Sequence, residues 1–300
     1  MKILLFGANG QVGRELRRAL APLGEVVCTT RNGTLADGTP CETADFDAPD
    51  TLPALIARVA PDVVVNAAAY TAVDRAEDEP DPAFRANAEA PRVIAEACVR
   101  RDALLVHYST DYVFDGTATR PYREDDPTNP LGVYGASKLA GEQAIQASGA
   151  RHMIFRTAWV YAAHGKNFLL TMLRLAKERD ELRVVADQVG TPTSAALIAD
   201  VTAVALGRPF RDSGTWHLTA AGSTSWHGFA EAIVRQATIQ GVLQARPRVV
   251  PIATAQYPTR AARPAYSVLD CGRLRRDFGV ATPDWGQGLA SSLGGLRGLG

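Results

Sequence analysis

Short apolar runs alternate along this chain with stretches whose apolar residues recur at helical spacing. Residues 2–6, 25–29, 63–66, 104–108 and 152–156 are rich in aliphatic and aromatic side chains over lengths too short for a helix, and are predicted to be strands. Between them, 49–60 and 81–100 repeat apolar positions three and four residues apart. In the second of these, Phe84, Ala88, Val93, Ile94 and Ala97 are expected to face a sheet. Regular alternation of strand and helix predicts an α/β fold with a parallel sheet, because parallel neighbours are joined by crossovers, usually helical. After residue 157 the pattern loosens into a helix over 167–179, strands over 182–186 and 215–218, and loops marked by Pro192, Pro251, Pro258 and Pro264.

These patterns predict two units. Residues 1–158 form a dinucleotide-binding domain, and strands near 182–187 and 214–219 are expected to extend its sheet. Residues 159–181 and 220–300 form a smaller, partly interleaved and discontinuous substrate domain. The glycine-rich tail over 286–300 is expected to fray.

The first strand leads directly into Gly7-Ala-Asn-Gly10-Gln-Val-Gly13, and a helical pattern follows. Strand, glycine turn and helix in this order suit a dinucleotide: glycines permit a tight turn and close backbone approach to a pyrophosphate, whose charge is favoured at the helix N-terminus. The expected architecture is therefore a doubly wound, Rossmann-type sheet, with ligands at the carboxyl ends of its strands. The Gly7 turn, the segment from Asn66 to Tyr70 and the segment from Ser109 to Asp111 all follow predicted strand ends.

Composition narrows the partner. The 300 residues include 32 Lys and Arg against 32 Asp and Glu, intermixed, so there is no basic footprint for nucleic acid or an anionic membrane. A small molecule is the expected partner. Cys28, Cys41, Cys98 and Cys271 are scattered without a Cys-x-x-Cys pair, which argues against zinc and against a disulfide framework. No apolar run reaches membrane-spanning length and Met1-Lys2 runs straight into the first strand, so a cytoplasmic location is expected.

Tyr134 and Lys138, in Tyr134-Gly-Ala-Ser-Lys138, carry the candidate chemistry. A phenol titrates near pH ~10 and needs a neighbouring cation to stabilise its phenolate; a lysine four residues on shares its helical face. Alone, the pair more often marks a solvated helix. Behind the glycine turn, it suits proton transfer beside a nicotinamide.

Taken with Asn66-Ala-Ala-Ala-Tyr-Thr-Ala-Val-Asp74, Ser109-Thr-Asp-Tyr-Val-Phe114, Phe155-Arg-Thr-Ala-Trp-Val-Tyr161, Asp187-Gln-Val-Gly-Thr-Pro192 and Tyr257-Pro-Thr-Arg-Ala-Ala-Arg-Pro264, these motifs resemble the dTDP-4-dehydrorhamnose reductase family of extended short-chain dehydrogenases over nearly the whole chain. The resemblance implies reduction of the 4-keto group of dTDP-4-dehydro-6-deoxy-L-mannose by NADH or NADPH, yielding dTDP-L-rhamnose. It implies Tyr134 as proton donor, with Lys138 lowering its pKa and reaching the nicotinamide ribose, and Thr110 holding the ketone oxygen. Gly7, Gly10, Gln11, Val12 and Gly13 would contact pyrophosphate. Ala67, Ala68 and Ala69 would lie under the cofactor, with Asp45 and Phe46 beside adenine and Tyr108 near the nicotinamide or in the core. Val73, Asp74, Asp111 and Trp159 would contact the sugar, with Tyr112 and Arg263 as further candidates.

Two departures qualify the resemblance. Thr30-Arg31 stands where NADH-selective relatives place an acid, and Arg31 suits a 2′-phosphate, so NADPH is favoured. Some relatives hold magnesium at a dimer contact through glutamates. Glu15 is present, but the residues after Pro192 read Thr193-Ser-Ala-Ala196, so magnesium is left unassigned and both monomer and homodimer stay open. A sugar-nucleotide dehydratase or epimerase would share the fold, but Asp111-Tyr112 lacks the second carboxylate that elimination uses. A non-catalytic regulatory subunit of similar fold would not need Thr110, Tyr134 and Lys138 together.

Overall fold

A computed structural model describes residues 1–208 and 212–296. The first part runs β1 (Lys2–Phe6), α1 (Gln11–Leu20), β2 (Glu25–Thr30), β3 (Glu42–Thr43), α2 (Leu52–Val59), β4 (Val63–Asn66), α3 (Val73–Ala76), α4 (Pro80–Phe84), α5 (Ala90–Arg101), β5 (Leu104–Thr110), α6 (Val133–Ala147) and β6 (His152–Thr157). The second runs β7 (Val160–Tyr161), α7 (Phe168–Glu178), β8 (Glu181–Val185), β9 (Val189–Gly190), β10 (Thr193–Ser194), α8 (Ala195–Leu206), β11 (Gly214–His217), β12 (Thr224–Ser225), α9 (Trp226–Ile239), β13 (Arg248–Ile252), α10 (Gly272–Phe278) and α11 (Trp285–Gly294).

Seven strands pair in the order β11-β6-β5-β4-β1-β2-β3, all parallel. Both faces are covered, which is why these strands read as continuous apolar runs rather than as alternating ones. Leu4, Phe6, Val64, Leu105 and Ile154 point to one face, under α2 and α5. Ile3, Leu5, Val65, Val106 and Phe155 point to the other, under α1 and α8. The chain leaves β1 for β2 on one side and returns to β4 on the other, so the topological switch lies between β1 and β4. A second core gathers Tyr161, Leu169, Leu173, Leu182, Phe229, Ile233, Leu289 and Leu293 from β7, α7, β8, α9 and α11.

Several expectations are corrected. Of the two strands expected to extend the main sheet, β11 does so beside β6, whereas β8 pairs in parallel with β13 inside the second core. Helix α10, assigned by sequence to the smaller unit, instead packs Leu274 and Phe278 into the sheet core. The tail does not fray over its described part: α11 is capped by Asp284 and buries Leu289 and Leu293; residues 297–300 lie outside the described residues. Phe84 is exposed rather than facing the sheet. The segment predicted as one helix over 81–100 contains a π-helical turn at Arg85–Glu89, whose wider winding breaks the 3.6-residue period and turns Ala83, Ala86 and Asn87 inward instead.

Candidate active site

The ends of β1, β4 and β5 converge on one crevice. Beyond Phe6 the chain reverses at Gly7, whose φ of +78° suits glycine, and the Gly10 N–H donates to the Gly7 carbonyl at 2.9 Å as α1 begins. A Cβ on Gly7 would lie 2.7 Å from Ala68 N, and one on Gly13 would lie 2.1 Å from Gly7 O. The turn, the start of α1 and the Ala67-Ala68 segment therefore meet backbone against backbone. Gly10 provides no side-chain cap, leaving the first-turn N–H groups of α1 available to an anion. This cradle fits a dinucleotide pyrophosphate. Gln11 is tied across to the second unit, its side-chain oxygen accepting from Asn167 Nδ2 at 2.7 Å. Val12 packs partly buried against the sheet core, and Ala69 is exposed.

Next to the cradle, Arg31 is exposed and ion-paired with Asp45 at 3.5 Å and Asp47 at 3.3 Å. Phe46 does not present its ring to the crevice: it is buried edge-on against Phe6, with ring centroids 5.6 Å apart. Of its two expected places, Tyr108 takes the core. Its side chain projects into the opposite sheet face, packs near Phe155 and shares a 2.8 Å hydrogen bond with Thr202, so only its carbonyl reaches the site. Alternation along β5 sends His107 to one face and Tyr108 to the other.

Helix α6 carries Tyr134 and Lys138 and is fixed at three points. Glu77 accepts a 2.8 Å hydrogen bond from the Val133 N–H. Gly135 passes so close to the Tyr112 carbonyl that a Cβ would lie 2.2 Å away, and Gly141 is equally tight, at 2.1 Å, against the Asn87 carbonyl. Asn87, in the π turn, accepts from the Tyr70 N–H at 2.9 Å and donates to Ser137 Oγ at 3.0 Å, linking the β4 loop to α6.

Burial pushes the Tyr134 phenol up to about 12, a hydrogen bond with Thr110 pulls it down, and nearby Asp111 adds to the rise. Tyr112 packs edge-on to Tyr134 at 5.7 Å. Burial pushes the Lys138 amine down to about 8. Its Nζ donates to the Tyr108 carbonyl at 2.5 Å and lies 3.3 Å from His107 Nε2. Lys138 is thus engaged by β5, while burial, Thr110 and Asp111 set the shift of the Tyr134 phenol. A phenol kept protonated is the form that can donate to an alkoxide.

Thr110 is buried; its hydroxyl donates to Asp111 Oδ1 at 3.0 Å and accepts from the Tyr112 N–H at 3.1 Å. Asp111 is also buried, which pushes its carboxyl up to about 6 against the opposing hydrogen bonds from Ser267 and Thr110. Asp74 and Arg263 form a two-point ion pair at 2.7 and 3.1 Å, closing the α3 side of the crevice to the C-terminal loop, with Val73 partly buried beside Asp74. Trp159 adopts a φ of +46°, rare for a bulky residue, stacks on Trp226 at 3.5 Å, and leaves no room for a Cβ on Gly190, which would lie 2.5 Å from its ring.

Sequence reasoning missed Asn66, Glu77, Asn87, His107 and Ser137. Asn66 and His107 carried a signal, being polar side chains within otherwise apolar strands. Glu15 is engaged by His164 at 3.1 Å and Arg18 at 3.4 Å. Among the described residues no group of three or more His, Cys, Asp or Glu side chains converges as metal ligands would.

The family model described as the RmlD substrate binding domain matches residues 1–297. A dTDP-4-dehydrorhamnose reductase of Burkholderia thailandensis is 53% identical over 296 residues, covering 95% of both chains. The crystal structure of a dTDP-4-dehydrorhamnose reductase from Clostridium acetobutylicum superposes with a TM-score of 0.90 at 39% identity, covering 99% of this chain and 100% of that one. The Bacillus anthracis enzyme of the same name, solved in complex with NADP, superposes at 0.88 with 34% identity, covering 97% and 98%.

Proposed function

Since the chain belongs to the dTDP-4-dehydrorhamnose reductase family, we propose that it reduces the C4 ketone of dTDP-4-dehydro-6-deoxy-L-mannose to dTDP-L-rhamnose, the last step of dTDP-rhamnose synthesis, using NADPH in preference to NADH. The observation that carries this reading is the hydrogen bond of Thr110 with Tyr134, one helical turn before Lys138 on α6, at the strand ends that also carry the glycine cradle. A reduced nicotinamide bound there supplies the hydride.

The protein's own residues do the rest. Tyr134 donates its phenolic proton to the oxygen that becomes the C4 hydroxyl. Thr110 turns its hydroxyl from Asp111 to that same oxygen, which fixes the ketone and stabilises the charge developing on it. Asp111, Trp159 and the Asp74–Arg263 pair bound the sugar side, and the stack of Trp226 on Trp159 gives the hexose a rigid wall. No helix among the described residues is long and apolar enough to cross a membrane; a small cytoplasmic nucleotide sugar is the partner this reading requires.

Loss of absorbance at the reduced-nicotinamide band, with the product identified by NMR, tests the reaction. Tyr134→Phe should keep NADPH affinity and lose at least about a hundredfold in kcat, the lower range for a positioned general acid. Equal turnover in the variant removes Tyr134 as donor. Failure of the wild type to oxidise either cofactor with this sugar removes the substrate assignment.

A further inference from the structure

A buried chain of polar groups runs behind the site, and its donors and acceptors can be assigned one by one. The Ala68 N–H can only donate, and it donates to Asn66 Oδ1 at 3.1 Å. The other terminus of that amide is therefore the NH2 group, which lies 3.1 Å from His107 Nδ1. His107 Nδ1 must accept. His107 is fully buried, and burial holds it well below its ordinary pKa, so the ring is neutral with a single N–H. That N–H is on Nε2, aimed at Lys138 Nζ 3.3 Å away.

An ammonium has no lone pair with which to accept it, whereas an amine has one. With Lys138 as an amine that donates to the Tyr108 carbonyl, every donor from Ala68 to Tyr108 meets an acceptor. With Lys138 as an ammonium, one contact sets donor against donor.

We propose that His107 is a positioning residue for the reduction: its Nε2–H, aimed by Asn66, meets Lys138 one helical turn after Tyr134 and favours its amine over its ammonium. The proposal rests on the reading of Tyr134 as proton donor.

The other charges around Lys138 agree with this role. On α6, Tyr134 precedes it by one turn and Glu142 follows it by one. Glu142 is the carboxylate that favours the ammonium, but it is already matched by Arg156 of β6, at 2.9 and 2.7 Å. From β5 come only His107 and the Tyr108 carbonyl, and Asp111 lies beyond Tyr134.

The chain has four lysines, Lys2, Lys138, Lys166 and Lys177. Lysine labelled with carbon-13 at Cε therefore gives four resonances, and Lys138→Met identifies one. The Lys138 resonance should titrate near pH 8 and rise by at least about one unit, a tenfold change, in His107→Gln, whose side-chain oxygen can accept from an ammonium. The alkaline limb of the kcat/KM profile should move up with it. Titration of Lys138 above about pH 10, where a free lysine amine titrates, or no movement in His107→Gln, overturns the proposal. Should His107→Gln not fold, nitrogen-15 spectra of the wild-type imidazole decide the matter: the Nε2–H tautomer is expected and the Nδ1–H tautomer overturns it. These spectra are recorded without substrate, so they stand or fall separately from the loss of turnover in Tyr134→Phe.

Discussion

Arg31→Ala probes how much of any preference for NADPH this chain encodes. A guanidinium on a phosphate makes charge-assisted hydrogen bonds worth about 1.5–3 kcal/mol. In the structure, however, the Arg31 side chain is 71% exposed and already pairs with Asp45 and Asp47, themselves 42% and 48% exposed. Exposed pairs contribute about 0.2–1 kcal/mol each, so a 2′-phosphate that displaces both forfeits about 0.5–2 kcal/mol. The net preference is about 1 kcal/mol, or roughly fivefold at 1.4 kcal/mol per tenfold. Nucleotide fluorescence titrations should show Arg31→Ala weakening NADPH by about that factor and leaving NADH nearly unchanged. The companion variant Asp47→Asn, which frees part of the guanidinium, should tighten NADPH. Raised salt should shrink both effects, because the charges are exposed. Equal weakening of both cofactors by Arg31→Ala, or NADPH affinity unmoved by Asp47→Asn, would refute this reasoning.

Three further outcomes follow from buried groups. Glu142→Gln strands the Arg156 guanidinium, whose side chain is 6% exposed, and should cost about 3–5 kcal/mol by urea unfolding; a loss under about 1 kcal/mol would show that the pair is not the buried bridge described here. Gly190→Ala places a Cβ 2.5 Å from Trp159, so KM for the nucleotide sugar should rise about tenfold, or 1.4 kcal/mol, while NADPH binding holds; an unchanged KM would separate Trp159 from the sugar. Asp111 has a folded-state pKa raised by burial to about 6, above its unfolded value. Its contribution to stability is therefore fully present below about pH 4 and lost as pH rises through 6. Asp111→Asn should gain stability relative to wild type across that window, by up to about 3 kcal/mol, and parallel pH–stability curves would contradict the assignment.

What could be read along the chain was local. The run Lys2–Phe6 is buried on both faces, and its composition already showed that. The spacing of Gly7, Gly10 and Gly13 set the turn, because a Cβ at Gly7 or Gly13 would collide with backbone. The four-residue spacing from Tyr134 to Lys138 put them on one face of α6. Tertiary structure alone decided the rest, since it depends on partners far apart in sequence. Asn66 and His107 are separated by 41 residues, Gln11 and Asn167 by 156, and Asp74 and Arg263 by 189. The sequence period of β8 fits a strand in either sheet, and only the packing of Leu182 against α7 and α9 draws it to β13. Pairing of Arg31 with Asp45 and Asp47 likewise depends on how β2 and the segment after β3 lie together. Periodicity and spacing specify which elements form and which residues share a face; the charge state and orientation of a buried side chain are set by the groups that folding brings against it.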